Sequence, residues 1–197
     1  MTCRGRLRAI VPPLCARCGA PTAWPVDRCR ECAGRRLAFA QARAAVAYGG
    51  PAKPFIRAWK EHGLRRAADL AAELVAERVE RPTADVIAYI PPDDGRRLER
   101  GHHPAERLAR ALALTWGLEA APLLVRTRPV ARQAGLTLLE RRRNVRRAFA
   151  PATSVPRTVV LVDDVYTTGA TCAAAASALR AGGAARVEVV TFARAVR

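Results

Sequence analysis

The chain has 197 residues, half of them hydrophobic, with 34 basic against 17 acidic side chains and a formal net charge of +17. That length suits one ordinary domain plus a small accessory module, and the apolar content excludes global disorder. The charge points either to an anionic partner (a phosphate, a nucleic acid or an acidic surface) or to a compositional preference for Arg, because Lys occurs only at Lys53 and Lys60. Arg4, Arg6 and Arg8 run into Pro12 and Pro13 without an apolar signal-peptide segment, and no run approaches the ~20 apolar residues of a membrane span. A soluble cytoplasmic protein with no membrane insertion is expected. In that compartment cysteines favour metal binding or catalysis over disulfides.

Residues 1–42 hold five of the six cysteines and four of the prolines, without a long periodic segment. Cys15-x2-Cys18 and Cys29-x2-Cys32 form two knuckles with ten residues between them. Each knuckle sets two thiolates on one side of a tight turn, and four thiolates close a tetrahedral structural zinc site with no open position. Gly19 and Gly34 follow the knuckles, where small residues permit the turn. A redox dithiol is the rival reading, weakened by the duplication. Too few large apolar side chains lie here for burial alone to fold the module. Zinc is therefore expected to supply folding free energy, on the order of 10 kcal/mol. Cys172 sits in an Ala-rich stretch and reads as a small core residue.

From residue 43 onward a second unit, 43–197, alternates strand and helix. A strand over 44–48 ends at Gly49-Gly50-Pro51, and helices follow over 55–62 and 65–80. In the second helix Leu70, Leu74, Val75 and Val79 share one face. A strand over 86–90 stops at Pro91-Pro92. Pro104 suits the first turn of a helix running to Trp116, with Gly117 as its end. A strand is expected over 122–126. Thr137 and Glu140 form a capping box that opens a helix through Arg147. A strand over 158–162, a helix over 171–181 and a strand over 187–192 complete the chain. This order predicts an α/β parallel sheet with helices on both faces.

The most informative stretch covers 159–171. Four apolar residues make a buried strand, Asp163 and Asp164 follow at its carboxyl end, and Thr167-Thr168-Gly169-Ala170-Thr171 leads into a helix. Ligands bind at the carboxyl ends of strands in open α/β sheets. Successive N–H groups and the positive helix end cradle a 5′-phosphate, Gly169 lets the backbone approach, and the Thr hydroxyls donate further bonds. Asp163 and Asp164 can accept from two ribose hydroxyls, directly or through Mg2+. The bland alternative is a strand, a loop and a well-capped helix.

This stretch resembles the signature of the type I phosphoribosyltransferases. The resemblance implies a site for phosphoribosyl pyrophosphate (PRPP) built from Asp163, Asp164, Val165, Tyr166, Thr167, Thr168, Gly169, Ala170 and Thr171. Purine-salvage members carry an Asp general base where this chain has Thr167, which weakens a purine acceptor. The four-cysteine module, Trp59-Lys60-Glu61-His62-Gly63, Arg100-Gly101, Gln133 to Asn144, and Ala148-Phe149 follow in an order that resembles the ComF family of competence proteins. That resemblance covers nearly the whole chain. It implies a zinc finger appended to a phosphoribosyltransferase fold, a role in DNA uptake during natural transformation, and partners among the DNA-uptake machinery proteins. By the same resemblance, the loop carrying Arg96, Arg97 and Arg100 handles pyrophosphate, with a solvated basic loop as the alternative. The family pattern Arg-Gly-Phe-Asn-Gln is replaced by Arg100-Gly101-His102-His103-Pro104, and the two histidines read as exposed loop residues or as substitute polar contacts.

Arg141, Arg142, Arg143, Arg146 and Arg147 surround most of their predicted helix. They read either as a solvated face or as a basic path for single-stranded DNA beside the PRPP site. Ten aromatic side chains in the whole chain give little support to a base-stacking platform. Three functions therefore stand: a ComF-like protein that binds PRPP and single-stranded DNA, a metabolic phosphoribosyltransferase acting on a small acceptor, and a nucleotide-sensing regulator without chemistry. Lys60 is notable in so Arg-biased a chain, as a position that favours a compact ammonium.

Overall fold

The computed structural model describes residues 3–62, 65–92, 102–127 and 147–196. Among them, five strands form one sheet: β1 (Gln41–Ala47), β2 (Val86–Tyr89), β3 (Glu119–Ala121), β6 (Thr158–Tyr166) and β7 (Arg186–Arg194). Their spatial order is β1-β7-β6-β2-β3, and every neighbouring pair is parallel. Such a sheet needs both faces covered, and its central strands read as near-continuous apolar runs. Val159, Val160, Leu161 and Val162 of β6 are all buried to 1% exposure or less.

Alternation along the strands sends these side chains to two separate cores. Val160, Val162, Val190 and Ile87 pack with α1 (Ala52–His62), α2 (Arg65–Arg78) and α3 (Pro104–Trp116). Val159, Leu161, Val187 and Val189 pack with α4 (Ala170–Ala181) and with Cys15, Cys18 and Cys32. Helices on both faces of a parallel sheet, with the cysteine segment added to one face, are the expected architecture. Helix α3 keeps its predicted bounds because both ends are chemically marked. Pro104 occupies the first turn, and Gly117 adopts a left-handed φ of 62°.

Three expectations are corrected. The strand carrying the two aspartates does not stop at 162; it runs on through Asp163 and Asp164 to Tyr166, held in register with β7 up to Arg194. Carboxylates are poor strand formers, but pairing along β7 overrides that local preference. The strand expected over 122–126 keeps only 124–126, and a strand before that span takes the place in the sheet. Glu119–Ala121 joins the sheet edge, while β4 (Leu124–Arg126) pairs antiparallel with β5 (Phe149–Pro151) in a separate ribbon. His102 and His103 are not exposed loop residues. His102 is 9% exposed, with Nε2 2.8 Å from the Trp59 carbonyl oxygen, and His103 lies edge-on to Tyr89.

Candidate functional site

The end of β6 brings the two aspartates to the lip of the sheet. Asp164 is 8% exposed and forms an ion pair with Lys60, Nζ to Oδ2 2.5 Å. Lys60 reaches it from α1, so one helix on the first core face supplies the cation to the strand end. Asp163 Oδ1 accepts a 2.9 Å hydrogen bond from the Asp164 backbone N–H. Burial and the adjacent Asp164 charge push the Asp163 carboxyl up to about 7, with Lys60 opposing. Two crowded carboxylates beside one ammonium suit a divalent cation or ribose hydroxyls, either of which would relieve the repulsion.

Beyond Tyr166 the chain turns sharply. Gly169 has a left-handed φ of 70°, and α4 begins at the next residue, so its N-cap position is held by a residue with no side chain. Thr168 is buried, and its Oγ1 accepts from the Ala170 N–H at 3.2 Å, which leaves the hydroxyl hydrogen for another acceptor. Gly169 is required for two reasons. Its φ disfavours any other residue, and a Cβ there would lie 2.1 Å from the Tyr166 hydroxyl oxygen. The structure thus gathers Asp163, Asp164, Lys60 and the 167–171 loop at one strand end. Val165 packs against the helical core, and the Tyr166 ring turns inward toward Phe39 and Arg194, so neither presents its side chain to the loop surface.

The four cysteines converge. Their sulfur atoms all lie within 4.8 Å of one another, and Cys15, Cys18 and Cys32 are buried. Sulfur separations are 3.6 Å for Cys15–Cys32, 3.4 Å for Cys18–Cys29 and 4.0 Å for Cys29–Cys32. Tetrahedral Zn2+ with bonds of about 2.3 Å sets sulfurs about 3.8 Å apart, whereas a disulfide needs about 2.05 Å. The cluster therefore has the dimensions to hold a zinc ion. Burial pushes Cys18 above the ordinary thiol range and Cys32 up to about 11. It also raises Cys15, but N–H groups of Cys18, Cys29 and Arg17, with the Cys32 side chain, bring that thiol down to about 7.

A groove of about 670 Å3 lies between this module and α4. Its floor is the small-residue face of α4, including Ala173, Ala174 and Ser177, and Arg35, Arg36 and Arg147 line it. Arg147 was singled out in the sequence; Arg35 and Arg36 were not, because nothing in a run of two arginines after a zinc knuckle reveals what they face. Arg126 is a third residue missed by pattern. Its Nε donates to the Pro91 and Pro92 carbonyl oxygens at 3.0 and 2.9 Å, fixing the chain where it leaves β2. Arg96, Arg97, Arg100, Arg141, Arg142, Arg143 and Arg146 lie outside the described residues, as does the 133–144 segment.

No family model matches the chain. It is similar to the DNA utilization protein YhgH of Escherichia coli K12, 31% identical over 188 residues, covering 89% of this chain and 82% of that protein. The YhgH protein of Salmonella typhimurium is 30% identical over 185 residues, with 89% and 82% covered. Competence protein F of Haemophilus influenzae is 27% identical over 195 residues, with 93% and 85% covered. Among solved structures, adenine phosphoribosyltransferase from Thermoanaerobacter pseudethanolicus overlaps 73% of this chain and 85% of its own, at 15% identity and a TM-score of 0.42. The glutamine PRPP amidotransferase of Bacillus subtilis overlaps 64% of this chain at 22% identity and a TM-score of 0.42; this chain spans only 25% of that protein.

Proposed function

Because the chain belongs to the ComF family, with the DNA utilization protein YhgH and competence protein F as relatives, we propose that it binds PRPP with Mg2+ and single-stranded DNA in the cytoplasm, in the service of DNA uptake. One observation carries the PRPP part: two carboxylates and the Lys60 ammonium meet at the end of β6, directly before the glycine-cornered threonine loop. Asp163 and Asp164 would hold the ribose hydroxyls and Mg2+, and the ion would neutralise the pyrophosphate charge. The N–H groups and hydroxyls of Thr167, Thr168, Gly169, Ala170 and Thr171 would hold the 5′-phosphate at the positive end of α4. Val165 and Tyr166 would serve through their backbone and by supporting the turn. Arg96, Arg97 and Arg100 are assigned to pyrophosphate.

The cysteine cluster would bind one structural Zn2+, and residues 1–42 would form the zinc-ribbon module on the phosphoribosyltransferase-like domain 43–197. The boundary falls inside β1, and the module shares the core on one face of the sheet. DNA is assigned to the arginine-lined groove, and Arg141, Arg142, Arg143 and Arg146 are assigned to the same ligand from the sequence. It would approach the PRPP loop along α4, whose Ala170 belongs to that loop and also lines the groove. A second reading, transfer of phosphoribose to a base or other small acceptor, draws on Asp163, whose carboxyl near 7 suits proton transfer at neutral pH.

Calorimetry with Mg2+ and PRPP tests the site. The double variant Asp163→Asn, Asp164→Asn should stay folded and lose PRPP binding; retained affinity would remove the site assignment. Pyrophosphate release against bases, nucleotides and DNA separates a transferase from a protein that binds PRPP without turnover. For DNA, the variant Arg35→Gln, Arg36→Gln, Arg147→Gln should lower affinity and make the logarithmic salt slope shallower by about 2, at ~0.7 per lost phosphate contact on a single strand. Exposed Arg8, Arg66 and Arg81 provide the control triple. An equal loss in the control would mean net charge alone is responsible.

A further inference from the structure

Arg194, at the end of β7, is 1% exposed. A buried guanidinium needs acceptors for its donors; among the described residues Nε has none, and both Nη atoms take theirs from the cysteine module. Nη1 donates to the Cys18 carbonyl oxygen at 2.6 Å. Nη2 donates to Glu31 Oε2 at 2.6 Å and lies 3.6 Å from Cys18 Sγ. The guanidinium carbon lies over the Tyr166 ring, 4.5 Å from its centroid. Tyr166 is 3% exposed, meets Phe39 edge-on, and sets its hydroxyl directly behind Gly169. No described group hydrogen-bonds that hydroxyl, so packing rather than a polar bond fixes the ring. A continuous line of contacts thus runs from Cys18 and Glu31 through Arg194 and Tyr166 to the corner of the threonine loop.

We propose that Arg194 is a positioning residue that couples zinc occupancy of the four-cysteine cluster to the shape of the 167–171 loop. The proposal rests on the PRPP reading of that loop for its functional consequence, but not for the coupling itself. With Zn2+ bound, Cys18 and Glu31 stand still and clamp the guanidinium over Tyr166, which backs Gly169 at the left-handed φ the turn needs. With the metal removed, crowded thiols no longer share a common centre, and the knuckle carrying Cys18 releases the guanidinium. A buried cation without its acceptors shifts, and the ring behind Gly169 loses its cover. Contacts to metal ligands of this kind normally orient the ligand; here the same contact would also transmit its order outward.

Hydrogen exchange on the full chain, with and without a zinc-selective chelator, reads the coupling without any ligand. Zinc removal should raise exchange in the 167–173 amides, while α3, on the opposite face, stays protected and reports that the sheet is intact. In Arg194→Met loaded with Zn2+, the loop should already exchange as in the stripped wild type, and chelation should add little. Arg194→Lys should restore part of the protection. Glu31→Gln, a near-isosteric change at a partly exposed side chain, should give an intermediate result. PRPP calorimetry then adds the functional arm. Wild-type affinity should fall about tenfold on zinc removal, and by linkage PRPP should tighten zinc by the same factor, with both factors close to one in Arg194→Met. Loop protection that ignores zinc, or that depends on zinc equally in wild type, Arg194→Met and Glu31→Gln, overturns the proposal. If the exchange coupling holds but PRPP does not bind, the ligand reading fails and the coupling stands.

Discussion

The two faces of the sheet are covered by different kinds of matter. One face packs against α1, α2 and α3 with large apolar side chains, among them Trp59, Leu74, Leu108, Leu112 and Phe192, all fully buried. The other packs against α4, whose buried residues are Ala170, Cys172, Ala175, Ala176, Ala178 and Leu179, and against a module built around four sulfurs. Burial of large hydrocarbons stabilises the first face directly, at roughly 25 cal/mol per Å2 removed from water. The small side chains of α4 bury little area, and larger ones on this face, such as Leu37 and Phe39, come from the segment that follows the cysteines, so this face depends on how firmly that module is held. The candidate site lies where the two meet: Lys60 reaches it from the first face, and Tyr166 with Arg194 supports it from the second.

Removing one ligand should separate the faces most clearly. Cys15→Ser is expected to release Zn2+ and forfeit a binding free energy on the order of 10 kcal/mol, much of it folding free energy of the module. Metal analysis should drop from about one equivalent per chain to near none, and proteolysis should open the first 40 or so residues before α3. A stable, metal-free wild-type chain with an ordered amino terminus would dissolve the contrast.

Trp59→Ala is the matching cut on the other face. Trp59 is fully buried against Phe55 and Phe192, and its carbonyl meets His102. Truncation should cost about 3–5 kcal/mol by urea denaturation, with zinc content unchanged. Loss of zinc in that variant would show that the faces do not behave independently.

The smallest effect concerns the border itself. Asp163 titrates at about 7 in the folded chain, above the ordinary 3.8 of an unfolded Asp. Between those values the folded chain holds a proton that the unfolded chain has lost, so stability falls as pH rises through the window. The contribution is fully present only below the ordinary value. Asp163→Asn should flatten that decline in melting temperature between about pH 4 and pH 7 when PRPP is absent. A slope identical to wild type would place the titration elsewhere.

Local chemistry alone determined much of this protein. The duplicated Cys-x2-Cys spacing announced the sulfur cluster, Pro104 and Gly117 bracketed a helix, and apolar runs marked the buried strands, because each signal acts within a few residues of itself. The Asp-Asp and Thr-Thr-Gly sequence likewise pointed to a strand end and a turn. Tertiary structure alone decided the rest. Whether β6 stopped before the aspartates depended on pairing with β7, and the short strands β3, β4 and β5 carry too few residues for a periodic pattern. His102 became an interior residue because α1 presents it with a carbonyl acceptor. The partnership of Lys60 with Asp164 spans 104 positions, and that of Arg194 with Cys18 spans 176. Periodicity and spacing do not carry information over such distances; only folding the chain back on itself brings those charges to the same place.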